Sequence, residues 1–353
     1  MKKWHIFNPE HDMALAAGTR GVTPPAAGRG MRHWLGFLPA FWAHDGDVVI
    51  VDDLEVAQMC TEPFRQWLPE VAYITLGDAR SLIINEQPAE VDVWGWDLAI
   101  RWQLIKAGVI NASDMPDEAM VEAIRRHSHR EASISVLRSL VEANDFTVGE
   151  RCCMHTLEEV CAYLENHHRI VVKAPWSCSG RGVRYLSDCN MSEQDAGFVA
   201  NIIRQQGAIV AEPWYDKVMD LAFEFTADGM GKVAYEGLSL FDTSNGAYTG
   251  NLLLPEEDKL HLLSSYIALK KLSVVKEQFL RILARETTHV YAGPLGVDMM
   301  VVSSPRGNLL HPCVEINLRR TMGHVALSVA RRTHHQFHVM RVVPGRQYQL
   351  LLE

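Results

Sequence analysis

Near its C-terminal end the chain carries two apolar runs, residues 297–302 and 308–317, on either side of the turn Ser303-Ser304-Pro305-Arg306-Gly307. This pattern predicts an antiparallel hairpin in a mostly buried sheet. If Val302 faces Leu309 and the register is regular, Asp298 faces Cys313. Period two then keeps Glu315 and Asn317 on the face of Cys313. Asp298 and Glu315 become diagonal neighbours, about 7 Å apart between Cα atoms, close enough to share a cation. Two carboxylates and a carboxamide oxygen suit a hard cation, and Mg²⁺ seldom sits in a protein without a phosphate ligand. A sheet face turned to water would accommodate the same residues.

A chain of 353 residues exceeds one ordinary core, so two or three lobes are expected. Hydrophobic residues at 48% and charged residues at 22% are globular proportions. The net charge is −9, and Arg125-Arg126 and Arg331-Arg332 are isolated basic pairs, so no nucleic-acid surface is expected. Seven cysteines, odd in number and without metal-ligand spacing, predict reduced thiols in a cytoplasmic protein. Asn8-Pro9-Glu10-His11-Asp12 cuts off any N-terminal signal core, and no long apolar run predicts a membrane span. The oligomeric state is not legible.

Residues 3–7, 47–52 and 91–96 read as short strands alternating with helical stretches, which predicts a parallel α/β lobe. After Met115-Pro116, helices are expected over 117–128 and 130–143. Another starts at Thr156, where Glu159 completes a capping box. Strand 169–174 runs into a glycine-bearing loop, a helix spans from Ser192 to just before Gly207, and strand 208–212 meets Pro213. Residues 219–241 are strand-rich, 242–251 read as a polar loop, 257–287 are helical, and a helix follows the hairpin from about 319 to 333. The tail 336–353 reads as one further strand pair.

Two more segments carry chemistry. In Val171-Val172-Lys173-Ala174-Pro175-Trp176-Ser177-Cys178-Ser179-Gly180-Arg181-Gly182, a lysine on a buried strand needs an anion. The loop after it, rich in Ser and Gly, offers backbone N–H groups that can fold over phosphates. No Gly-Lys-Ser/Thr opens a helix, so the pattern is not a Walker motif, and an ordinary hairpin loop reads the same way. In Ala211-Glu212-Pro213-Trp214 a buried strand turns into a Pro-Trp link that can present backbone groups to an adenine edge, with Asp220 in reach of ribose hydroxyls. A plain strand-to-loop junction is the alternative.

The hairpin, the lysine strand and the Pro-Trp link occur in order and ask for one ligand, Mg-ATP. The span from about Arg130 to Ala330 resembles the ATP-grasp superfamily, in which two α+β lobes clamp ATP. In that resemblance Lys173 looks like the lysine on the α- and β-phosphates. Loop 176–182, with Ser177, Ser179, Gly180 and Gly182, looks like the phosphate-covering loop. Ala211, Glu212 and Trp214 look like the adenine hinge, and Asp220 like the ribose acid, usually Glu. Asp298, Glu315 and Asn317 look like the ligands of two Mg²⁺ ions. Arg130 stands where the family often has a second lysine, and Leu318-Arg319-Arg320-Thr321-Met322-Gly323 replaces a frequent Pro-Gly turn.

The fold class implied is α/β and α+β: a parallel, Rossmann-like lobe (1–115, possible substrate binding) before a clamp of two lobes, 116–211 and 212–353. The resemblance also implies an enzyme that activates a carboxylate as an acyl phosphate for attack by an amine, giving ADP and phosphate. Arg319 or Arg320 would then hold the acceptor carboxylate or the oxyanion beside Lys173. Its partners would be small-molecule carboxylates and amines. A phosphotransferase or a nucleotide-sensing regulator could use the same clamp.

Fainter signals remain. Asn8–Asp12 as a segment follows the first strand, where α/β lobes put ligands, and with Arg20 and Arg29 it could bind a substrate's amine and carboxylate; a helix-capping turn reads alike. His334-His335-x-x-His338 lacks acids or cysteines at ligand spacing, so a solvated helix end is favoured over a metal site. Cys178 sits in the presumed phosphate loop with no base beside it.

Overall fold

The computed structural model describes residues 2–83, 88, 90–109, 115–177, 182–187, 191–244 and 247–353. In chain order the strands are β1 (Lys3–Ile6), β2 (Val48–Ile50), β3 (Ala72–Ile74), β4 (Glu90–Val93), β5 (Cys152–Met154), β6 (Ile170–Lys173), β7 (Val183–Leu186), β8 (Ile209–Pro213), β9 (Lys217–Asp228), β10 (Val233–Ser244), β11 (Ala247–Leu252), β12 (Ala292–Val302), β13 (Leu309–Asn317), β14 (Val339–Val343) and β15 (Gln349–Leu352). They belong to two compact units. One is Met1–Arg125, Thr249–Pro255 and Arg319–Glu353; the other is Arg126–Tyr248 and Glu256–Leu318.

In the first unit β1 to β4 form a parallel sheet in the order β3-β2-β1-β4. β2 is wholly apolar, whereas β1 and β4 alternate buried Trp4, Ile6, Val91 and Val93 with His5 and Asp92, which lie 2.9 Å apart across the strands. Between β4 and the next helix, Asp97 accepts from the N–H groups of Ala99 (2.8 Å) and Ile100 (2.9 Å), which fixes the start of Leu98–Lys106. Phe7, Phe37, Phe41, Phe64 and Trp94 are buried together with Val325, Ala326 and Val329 of the helix Met322–Arg332. Phe37 and Phe64 stack at 5.8 Å, and Phe7 meets Trp94 edge-on at 4.9 Å. The tail forms the expected strand pair, β14 with β15, and β14 also pairs with Gly250–Leu252 of β11. Thr321 caps the last helix by accepting from His324 N, so this helix begins three residues later than the sequence pattern suggests.

The second unit holds two antiparallel sheets. The smaller runs β5-β8-β6-β7. Its apolar face, with Ile170, Val172, Ile209 and Ala211, packs on Val160 and Leu164 of helix Leu157–His167 and on Val199 and Ile202 of helix Glu193–Gln206. The Thr156–Glu159 capping box forms as expected. Gly207 ends the second helix at φ +83°, a conformation that favours glycine. In the larger sheet, β13-β12-β9-β10 lie in that order. Leu221, Phe223, Phe225, Leu295, Val297, Met299 and Val301 are buried on one face. Helix Leu269–Thr287 packs against this sheet, with Phe279 6.5 Å from Phe225. The helical stretch expected over 257–287 is two helices, Glu256–Ser264 and Leu269–Thr287. The polar stretch 242–251 is mostly strand: Thr243 continues β10 and donates to Asp220 at 2.8 Å, which satisfies a polar residue inside the sheet. Asn245 and Gly246 lie outside the described residues.

Candidate active site

Each sheet of the second unit has one apolar face and one face that carries charge. On the smaller sheet Val171 pairs with Glu212, so Lys173 and Glu212 are diagonal neighbours on the same face. Lys173 Nζ donates to Glu212 Oε2 at 2.6 Å. On the larger sheet Gly296, Asp298 and Met300 of β12 pair with Glu224, Ala222 and Asp220 of β9, and Gly296 and Asp298 pair with Asn317 and Glu315 of β13. Register therefore gathers Asp220, Asp298, Glu315 and Asn317 on one face.

The hairpin begins as expected, with Val302 opposite Leu309, and then departs from regularity. Met300 pairs with His311, but Asp298 pairs with Glu315 rather than Cys313. β13 carries two extra residues in a bulge at Pro312, whose missing N–H cannot serve a ladder. Because the excess is even, Glu315 and Asn317 keep the face that the pattern gave them, and Asp298 and Glu315 become direct rather than diagonal neighbours. Asn317 Nδ2 donates to Asp298 Oδ2 at 3.1 Å.

Arg130 joins this face to the loop after β6. Its Nη2 donates to Glu315 Oε2 (2.9 Å), and its Nη1 donates to Ser177 Oγ (2.9 Å) and to the Ala174 carbonyl. Trp176 is pinned on both sides by Gln206, whose Oε1 accepts from Trp176 N (3.0 Å) and whose Nε2 donates to Trp176 O (3.2 Å). At the loop's far end a Cβ on Gly182 would stand 2.5 Å from Ser177 Cβ, so only glycine closes the loop. Ser179 and Gly180, with Cys178, lie outside the described residues. At the presumed hinge, Trp214 N donates to Arg169 O (2.9 Å), and the Trp214 ring lies under the Arg169 guanidinium at 4.1 Å. Asp220 accepts from Lys217 Nζ (2.5 Å) and from Thr243 Oγ1 (2.8 Å).

Sequence reasoning missed Arg151, Ser133 and His311. Arg151 is buried, and its Nε donates to Glu212 Oε1 at 2.6 Å. Burial works most strongly against its charge, yet Glu212, Cys313 and Glu315 together outweigh it and raise its pKa. Burial likewise pulls the Lys173 ammonium down, and Glu212 offsets this only in part. Burial alone would push Glu212 up, but Arg151 and Lys173 hold it well below the usual carboxylate range. His311 is fully buried; both ring nitrogens lack a hydrogen-bond partner, and burial pushes its pKa down to about 3. Nothing in spacing or composition marks these three, although Pro312 inside a strand was a readable sign of the bulge beside them.

Arg319 and Arg320 lie in the first unit. Arg319 Nε and Nη2 grip Asp12 at 2.9–3.2 Å. Arg320 Nη2 donates to Asp92 at 3.1 and 3.2 Å, and its guanidinium lies 4.3 Å from the Trp42 ring centre. Burial would raise the Asp92 pKa, but Arg320 and hydrogen bonds from His5 and Trp42 hold it well below the usual range. Arg20 and Arg29, expected to act with the Asn8–Asp12 segment, take other partners, Glu118 (2.6 Å) and the Pro24 carbonyl (2.5 Å). The arginine at Glu10 is Arg32, at 2.7 Å.

The donor chemistry of Asp298, Glu315 and the Asn317 carboxamide fits a hard divalent cation. Among the described residues no three His, Cys, Asp or Glu side chains cluster as metal ligands. The cluster His334, His335 and His338 is no such group either; His335 Nδ1 lies 2.8 Å from the Leu253 carbonyl. Among the described residues no helix is long and apolar enough to cross a membrane.

No family model and no curated protein matches the chain. Solved structures do. The chain is similar to N5-carboxyaminoimidazole synthetase from Staphylococcus aureus complexed with ADP, with TM-score 0.53 and 12% identity over 97% of this chain and 82% of that one. It is similar to the biotin carboxylase domain of Hydrogenobacter thermophilus 2-oxoglutarate carboxylase in complex with MgADP, ADP and bicarbonate, with TM-score 0.51 and 13% identity over 97% and 74%. It is also similar to L-amino acid ligase from Bacillus licheniformis, with TM-score 0.50 and 14% identity over 98% and 81%. The chain has the ATP-grasp fold, a mixed α/β architecture with a parallel-sheet lobe and antiparallel sheets.

Proposed function

We propose that the protein is an ATP-dependent ligase that activates a carboxylate as an acyl phosphate for attack by an amine. The observation that carries this reading is the sheet face on which Asp298 and Glu315 pair directly, with Asn317 bonded to Asp298 and the Arg130 guanidinium bonded to Glu315. Asp298, Glu315 and Asn317 would hold two Mg²⁺ ions, which supply charge neutralisation for phosphoryl transfer when bound. Lys173 and Arg130 add fixed positive charge for the phosphates. Ser177 and Gly182, with Ser179 and Gly180 between them in the chain, would cover the phosphates. Ala211, Glu212 and Trp214 would face the adenine, and Asp220 the ribose. Because Trp214 N already serves Arg169 O, its share is the ring or the carbonyl.

A substrate carboxylate oxygen attacks the γ-phosphorus as the bond to the β-phosphate oxygen breaks, releasing ADP. The amine then attacks the acyl carbon, phosphate leaves with the acyl oxygen bond, and the amine gives up a proton. Arg319 or Arg320, two and three residues past Asn317 in the chain, is the cation we assign to the acceptor carboxylate, which would have to compete with Asp12 or Asp92 for it. The end of β1 is a second place where substrate recognition is supported, since Glu10 Oε2 is buried without a partner beside the switch between β1 and β4. The test is release of ADP and phosphate with Mg²⁺ across pairs of amino acids and small carboxylates. A stable phosphorylated product would replace the ligase with a phosphotransferase, and ATP bound without turnover for any pair would replace it with a regulator.

A further inference from the structure

We infer that Arg151 is a positioning residue for the cation ligands of the hairpin, acting through the bulge beside them; the inference rests on the Mg-ATP reading of this site. Between the pairs Met300 with His311 and Asp298 with Glu315, one residue of β12 faces three of β13: Pro312, Cys313 and Val314. A bulge of this kind removes carbonyls from the ladder and leaves them in need of donors. Arg151 Nη2 donates to both, Cys313 O at 3.0 Å and Val314 O at 2.6 Å. The same guanidinium reaches Glu212 Oε1 through Nε at 2.6 Å and Ser133 Oγ through Nη1 at 2.6 Å. Ser133 Oγ in turn donates to the carbonyl of Arg130 at 3.0 Å. One side chain therefore touches the residue before Glu315, the carboxylate that holds Lys173, and the turn that carries Arg130.

The segment before Arg151 is itself tied to β13. Phe146 O accepts from Leu310 N (3.0 Å), and Leu310 O accepts from Val148 N (2.9 Å). Gly149 lets this segment lie close: a Cβ there would stand 2.7 Å from Leu137 Cδ1 and 3.0 Å from His311 Nε2. Arg151 is thus delivered to the bulge by pairing upstream of it. Four acceptors on three pieces of chain suit the rigid fork of a guanidinium; a lysine ammonium is a point charge on a flexible stem and cannot span them. The bulge decides that Glu315 rather than Cys313 stands opposite Asp298, so a bulge left without its donor loosens the pair of carboxylates that a cation needs.

The test uses Arg151→Lys, which keeps the charge and loses the fork, in the full chain. ADP affinity is measured by calorimetry in the presence of EDTA, and Mn²⁺ affinity by electron paramagnetic resonance with ADP saturating. The expected result is Mn²⁺ binding weakened at least about tenfold, the usual effect of removing an outer-shell support, with ADP affinity changed by less than about threefold. A lower melting temperature with Mn²⁺ affinity unchanged would mean a purely structural role and overturn the inference, as would equal losses for both ligands. Should Arg151→Lys fail to fold, Ser133→Ala removes one acceptor and leaves the guanidinium in place. Mn²⁺ binding weakened about threefold in Ser133→Ala supports the inference, and no change overturns it. Wild-type protein that binds ADP but no Mn²⁺ would overturn the site reading, and the role of Arg151 with it.

Discussion

Replacing His311 by phenylalanine should change how the protein responds to acid. The imidazole is fully buried, neither ring nitrogen has a partner, and its neighbours Arg151 and Lys173 oppose a further positive charge while Glu212 favours one. Burial wins, and the folded pKa of about 3 lies below the ordinary 6.5. The sign follows from proton binding: below pH 6.5 the unfolded chain takes up a proton that the folded protein refuses. The stability contribution is whole above 6.5 and is lost progressively as the pH falls toward 3. Each pH unit is worth about 1.4 kcal/mol, so by pH 5 the wild type has lost about 2 kcal/mol that the phenylalanine variant keeps. Stability at pH 7 is the wrong observable. Relief of an orphaned polar group (about 1–3 kcal/mol) and overpacking against Gly149 (about 1–3 kcal/mol) oppose each other there. The assay is calorimetric melting of both proteins from pH 7.5 to 5, beside deuterium exchange at the imidazole C2 carbon, which reads the histidine pKa directly. Parallel melting curves, or a His311 that titrates near 6.5, would refute the reasoning.

Other outcomes follow from the same geometry. Asp298→Asn keeps the hydrogen bond to Asn317 within reach but removes a charge, so turnover should fall below detection while the melting temperature moves by only a few degrees. Lys173→Ala should likewise abolish turnover, and because Arg151 still neutralises Glu212 the chain should stay folded by circular dichroism; activity retained in both variants would sink the site assignment. Asp92→Asn leaves Arg320 buried without a counter-charge and should cost about 3 kcal/mol in the first unit, seen as faster proteolysis of residues 1–125. Gly182→Val forces a side chain onto Ser177 and should weaken ATP binding more than tenfold, measured by calorimetry.

Much of the architecture was legible because it rests on periodicity. The acids of the hairpin stood out as charges at alternate positions in apolar strands, and the capping box at Thr156 and the glycine stop at Gly207 marked helix ends by local chemistry alone. The register of β13 was not legible in full, since the regular ladder predicted Cys313 opposite Asp298. Pro312 carried the missing information: a strand proline has no N–H for the ladder, and a bulge is one of the few ways to keep it. Arg151 was out of reach for a different reason. Its partners, Ser133, Glu212 and two backbone carbonyls, are brought together only by the tertiary fold, so no spacing along the chain announces them. Arg32 shows the same limit, since it rather than Arg20 or Arg29 meets Glu10, and only helix packing decides among three arginines within thirteen positions.

The error in register also shows why the face assigned to Glu315 and Asn317 survived it. Side chains alternate across a strand with period two, so an insertion of two residues shifts partners without exchanging faces. An insertion of one would have turned Glu315 and Asn317 toward Phe279 and the helix Leu269–Thr287, and two buried polar groups would have faced an apolar core. A face assignment made from alternation is therefore sturdier than a partner assignment made from a ladder. Here the face brings Asp298 and Glu315 together, and the two extra residues narrow their separation from a diagonal to a direct pairing. The bulge that defeated the expected register is thus what sets the two carboxylates directly opposite each other, and Arg151 is the side chain that donates to its carbonyls.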